Sequence, residues 1–198
     1  MMSATVPTPV DPTLATLVPR PSPWRNVVLV AVAFAALVVV PVLARPSIVP
    51  GSTGGGSTAF PESRQVVTQL QVEAAGPLPV TVVAVDDVPG ATVVGAWLLP
   101  ADAMETGAPG GLPDGAAYVA AVDPHAADAA LPHRLRAGER ATLTVVWQIT
   151  DCAALSTDDA PEAVLRTVLG TTSRDELPDW TGPAQALEPD GSGVCPRQ

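Results

Sequence analysis

The side chains best equipped for chemistry fall into three groups. Asp123, His125, Asp128 and His133 place two imidazoles and two carboxylates on one short segment, a donor set that suits Zn or Cu. Their spacing matches no compact metal motif, and the alanines and prolines around them read as a surface loop. The expectation is therefore solvated loop side chains and no bound metal. Asp86 with Asp87, and Asp158 with Asp159 and Glu162, carry the hard oxygens that Ca²⁺ prefers. No stretch follows the alternating Asp pattern with a central Gly and a closing Glu, so turn formation and helix capping account for these acids. Cys152 and Cys195 are the only cysteines. With no CxxC and no adjacent His, an even count reads as one disulfide in an oxidising compartment. Closing a loop of about 44 residues would stabilise the fold by roughly 4 kcal/mol in the chain-entropy picture.

No catalytic residue and no cofactor is nominated. The chain has no Gly-x-Ser-x-Gly elbow for a serine nucleophile. Paired carboxylates for glycoside hydrolysis are defined in space and not in sequence. Sugar clefts, however, are usually lined with aromatics, which make up only 4% of this chain. Gly51-Ser52-Thr53-Gly54-Gly55-Gly56-Ser57-Thr58 is Gly-rich, but a phosphate-cradling loop needs a following Lys, and the chain contains none. That run reads as a flexible tether.

The elements that would position these groups begin with Val27–Ala44, eighteen residues without a charge. A run of that length is at the lower limit for crossing the roughly 30 Å hydrocarbon core as a helix. It has no polar face, which argues against a buried core helix. Arg20, Arg25 and the interfacial Trp24 precede it and Arg45 follows, a charge bias that favours a cytoplasmic leader and an external C-terminal part. The alternative is a cleaved signal peptide, with Val27–Val40 as its apolar region and cleavage after Ala44. Either reading exports the rest. Residues 1–26, with six prolines, are expected to be disordered. The expected divisions are a cytoplasmic leader over 1–26, a transmembrane helix over 27–44, a flexible linker over 45–63 and an extracytoplasmic domain over 64–198.

Nineteen of the twenty acidic residues lie beyond Arg45, against seven arginines, giving that part a charge of about −12. Such a domain is expected to repel nucleic acid and anionic lipid headgroups. From Arg64 the pattern becomes period two. Val66, Leu70 and Val72 alternate with Gln69, Gln71 and Glu73, the signature of a half-buried strand. Leu78–Val85 and Ala91–Leu99 follow as β-branched runs separated by turns. The Ala/Gly/Pro-rich middle predicts one short strand near Tyr118-Val119-Ala120, with loops on both sides. Ala141–Thr150 alternates most clearly, with Leu143, Val145, Trp147 and Ile149 on one face and Thr142, Thr144, Gln148 and Thr150 on the other. Ala163–Thr171 is expected to be a strand. Trp147 reads as core. Trp180, in a turn-rich tail, reads as packing, with an exposed contact residue as the alternative.

The run Ala137-Gly138-Glu139-Arg140-Ala141-Thr142-Leu143-Thr144-Val145 resembles the Gly-Glu approach and alternating strand of immunoglobulin-like and fibronectin-like bacterial envelope domains. The order of apolar stretch, linker and β-domain is similar to that of single-pass proteins of actinobacterial envelopes, and the all-Arg, Ala/Val/Pro-rich composition fits a high-GC genome. The chain departs from antibody-type domains in lacking their Cys-Trp-Cys spacing. The resemblance implies a mainly β fold, an antiparallel immunoglobulin-like β-sandwich preceded by one transmembrane α-helix. It implies a scaffold that binds an envelope protein, with the membrane as a further partner and no nucleic acid. An exported Zn or Cu binder using His125 and His133 is the second expectation, and a cell-wall hydrolase the third.

Overall fold

The computed structural model describes residues 23–43, 45–103, 111–177, 180, 182–187 and 194–195, and the side chains of all these except 23, 36–43, 52–54 and 185–187. Of the leader expected to be disordered over 1–26, residues 1–22 lie outside the described residues, and 23–26 form the first turn of a helix instead. The chain divides between Val42 and Leu43 into two compact units.

The first unit contains helix α1 (Pro23–Leu43). Its described side chains, residues 24–35, are exposed throughout, including Trp24, Leu29 and Phe34. Among the described residues no helix is long and apolar enough to cross a membrane. The transmembrane helix expected over 27–44 is therefore not found.

The second unit is mainly β. In chain order it comprises β1 (Ser47–Phe60), β2 (Gln65–Ala75), β3 (Val80–Val85), β4 (Ala91–Pro100), helix α2 (Gly115–Val122), β5 (His133–Leu135), β6 (Arg140–Ile149), β7 (Glu162–Thr167) and β8 (Thr172–Glu176). Short 3₁₀ turns occupy Ala126–Ala129 and Gly182–Leu187. The strands form two antiparallel sheets, ordered β1-β2-β6-β4 and β5-β3-β7-β8, consistent with a β-sandwich.

One core lies between the sheets. Val66, Leu70 and Val72 of β2 and Leu143, Val145, Trp147 and Ile149 of β6 meet Val80 and Val82 of β3 and Leu165 of β7. These are the alternating positions read from sequence, so that face of the fold follows from period two. Within this core Trp147 Nε1 donates to Thr68 Oγ1 at 2.7 Å, satisfying the indole where no water reaches. Trp180 is buried, not an exposed contact, and its ring packs 6.1 Å from that of Trp147.

The opposite face of the first sheet is buried as well. Val67, Leu99 and Val146 pack under α2 and the following turn, with Phe60, Tyr118, Val119 and Ala126. Thr142 and Thr144, read from sequence onto the face opposite Leu143 and Val145, are fully buried there. The polar groups are satisfied by one another. Tyr118 Oη donates to Gln69 Oε1 at 3.2 Å, Gln69 Nε2 donates to Thr144 Oγ1 at 3.4 Å, and Thr142 Oγ1 donates to Ala101 O at 3.3 Å.

Three sequence-based expectations about the elements of this unit are corrected. The segment around Tyr118 is a helix and not a strand. Asp114 caps it by accepting the Ala117 N–H at 2.8 Å, and its alanines favour helix once the sheet supplies an apolar surface. The linker expected over 45–63 is largely strand β1, paired with β2 from Ser47↔Ala75 to Phe60↔Gln65, with an irregularity between Pro50 and Gly55. Ile48 anchors one end in the inner core and Phe60 the other end in the outer core. Glycine permits the close approach between them, since a Cβ on Gly55 would sit 3.0 Å from the Gln69 carbonyl. The expected Ala163–Thr171 strand ends at Thr167 and turns into β8, whose Thr-Ser-Arg-Asp-Glu sequence carries no apolar alternation.

Helix α2 rests on the sheet through Gly115, where a Cβ would lie 2.5 Å from Val146 Cγ1 and 3.0 Å from Val67 Cγ2. Gly115→Ala should therefore destabilise the fold by about 1–3 kcal/mol through overpacking. Ala116→Gly, on the exposed side of the same turn, should cost about 1 kcal/mol or less. Urea unfolding followed by tryptophan fluorescence separates the two; equal costs would mean that α2 does not seat on the sheet.

Candidate functional site

The two acidic pairs singled out in the sequence come together. Asp86 and Asp87 sit on the β3–β4 turn, Asp158 and Asp159 on the β6–β7 connection, and Glu162 opens β7. With Glu176 and Arg174 of β8 they line one open surface hollow of about 640 Å³. The sheet register brings this about. Glu162 pairs directly with Glu176, a like-charge cross-strand pair, and Arg174 lies two positions along, opposite Val164. Arg174 Nε approaches Asp86 Oδ2 at 3.3 Å, and its Nη1 lies 4.0 Å from Glu162 Oε2. The arginine is largely exposed, so these pairs are worth little individually. Six carboxylates around one guanidinium leave the hollow strongly negative, a surface that favours cationic groups.

One of these acids also shapes the backbone: Asp87 Oδ1 accepts the Val93 N–H at 2.7 Å, the kind of turn role expected from sequence. At the other pair the turn is held by Ser156, whose Oγ accepts the Asp158 N–H at 3.1 Å. The sequence reading missed Glu176 and Arg174, because their strand lacks an apolar face. The signal available was Gly170 just beyond the Val/Leu run; it takes a positive φ in the β7–β8 turn.

A second hollow, of about 390 Å³, gathers Asp123, His125, Asp128 and His133 beside Glu139 and Arg140, over a floor that includes Leu98 and Leu135. The four residues nominated as possible metal ligands therefore share one depression. Asp123 follows the last residue of α2 and turns the chain by accepting the His125 N–H at 2.8 Å. His125 is exposed, and His133 sits on the edge strand β5. Among the described residues no group of three His, Cys, Asp or Glu side chains could hold a metal ion.

Cys152 and Cys195 are joined as expected, with their Cα atoms 5.7 Å apart. The bond ties the segment after β6 to the far end of the chain, and Cys195 is itself part of the inner core. No protein-family model matches the chain, and no curated protein matches it either.

Two outcomes follow from this geometry. Protein dialysed against Zn²⁺ or Cu²⁺ and then desalted should retain less than one equivalent by elemental analysis. A full equivalent that is lost in His125→Ala would overturn this. Cys195→Ser should lower unfolding stability by about 2–4 kcal/mol, read as a reduced urea midpoint.

Proposed function

We propose that the strand unit is a non-catalytic, extracytoplasmic binding or scaffold module of a cell envelope, held at a membrane by the apolar stretch 27–44. The Cys152–Cys195 bond carries the reading, because structural disulfides persist in oxidising compartments and are rare in reducing ones. The surface of α1 gives further support. From Trp24 to Phe34 it exposes a continuous apolar face, with Leu29 62% and Phe34 67% accessible, and a surface of that kind calls for a lipid or protein cover. The strand order supports an immunoglobulin-like sandwich. Assigning β1, β2, β3, β4, β6, β7 and β8 to A through G gives A-B-E-D in one sheet and C-F-G in the other, with β5 added beside C. That order agrees with the envelope-domain resemblance of the Ala137–Val145 run. The acidic hollow is the face suited to a partner with Lys or Arg side chains.

The test is a cross-linked pull-down of the full-length protein from its native membranes, with the intact mass of the recovered chain read in the same run. One reproducible envelope protein is expected, retained by the full chain and lost when residues 45–198 are deleted. Recovery of a chain beginning after Ala44 and free of membrane would overturn the anchored reading, and recovery of no partner would overturn the scaffold role.

A further inference from the structure

The second unit is negative as a whole, yet its charge is sorted along the strands. The carboxylates of the acidic hollow sit where β3 and β8 end and β7 begins. At the opposite end of the same sheet, Arg134, Thr81 and Arg166 form one row across β5, β3 and β7. Arg134 and Arg166 are exposed there, as is Arg136 just beyond β5. Among the described residues none of these three guanidiniums has an ion-pair partner. The carboxylates nearest in the chain are engaged. Glu139 Oε2 accepts the Arg136 N–H at 2.6 Å, and Glu73 pairs with Arg140 at 2.8 Å. Asp123 and Asp128 face the neighbouring hollow.

Two of the turns at this end carry exposed apolar side chains. Leu78 lies on the β2–β3 turn, and Val168 and Leu169 on the β7–β8 turn, just beyond the Val80↔Thr167 pair. Val168 is 52% and Leu169 62% exposed, although nothing in a water-facing hairpin requires large aliphatic groups at its tip. The chain also enters the unit here, since Ser47 pairs with Ala75 at the close of β2.

We propose that this end of the unit, with Leu78, Val168 and Leu169 flanked by Arg134, Arg136 and Arg166, rests on an anionic lipid surface. Exposed aliphatic tips enter the interface while guanidiniums meet headgroup phosphates, the division of labour seen in interfacial segments. The carboxylates of the acidic hollow, at the other end, are then turned away from the like-charged bilayer. The inference rests on the membrane side of the reading above.

Full-length protein is reconstituted into vesicles of phosphatidylcholine alone or with added phosphatidylglycerol, floated, and followed by amide hydrogen exchange. Exchange in the Gly76–Pro79 and Val168–Thr171 turns should slow with the anionic lipid only, and recover at high salt. The double variant Arg134→Glu/Arg166→Glu should abolish that slowing, given about fivefold in affinity per basic side chain at such a surface. Unchanged exchange in β2 and β6 would show that the variant is folded. Flotation with no lipid-dependent protection would overturn this inference alone. Failure to float with either vesicle would overturn it together with the anchored reading. Protection that follows protein concentration and not lipid charge would overturn it in favour of contact between copies.

Discussion

Strand β6 has no wet face, and the rest of the second unit is arranged to keep it so. On one side Leu143, Val145, Trp147 and Ile149 meet the other sheet. On the opposite side Thr142, Thr144 and Val146 lie beneath α2 and its following turn. A sandwich needs only the first of these contacts. The second requires a lid, and the lid explains why the Ala-rich middle of the chain folds as it does. Its residues have weak preferences of their own. What fixes them is an apolar sheet surface below, an aspartate cap at the start, and a glycine small enough to let the backbone come down.

The outer core is also where polar groups enter the interior. Gln69, Thr142, Thr144 and Tyr118 would each cost free energy if buried without partners. Their mutual hydrogen bonds remove most of that cost, so the layer is both apolar and specified in register. Shifting β2 against β6 by one residue would break the Gln69–Thr144 contact and carry Val66 and Leu70 out of the inner core. Trp180 lacks such a solution. Its indole N–H is buried without a partner among the described residues, so the burial of its ring against Trp147 must outweigh that loss.

Period-two alternation made the inner face legible from sequence, because Leu143, Val145, Trp147 and Ile149 repeat without interruption. The disulfide was legible because only two cysteines exist. The burial of Thr142 and Thr144 was not legible because threonine suits a wet sheet face and a dry one equally; the difference lies in Tyr118 and Gln69, far away in the chain. Strand β8 was hidden by its charge, which is the usual protection for an exposed edge. The acidic hollow was legible only as separate turn residues. That Asp86 and Asp158 would line one hollow depends on the pairing of β3 with β7, which no local pattern encodes.

The Gly-rich run that becomes β1 changes what its length means. A free tether over residues 45–63 would let its ends wander by roughly 24 Å, the root-mean-square span of about nineteen flexible residues, and a residue added or removed would only alter that reach. With β1 paired to β2 from Ser47 to Phe60, and with Ile48 and Phe60 seated in the two cores, a residue gained or lost in the run shifts the register of the strand instead.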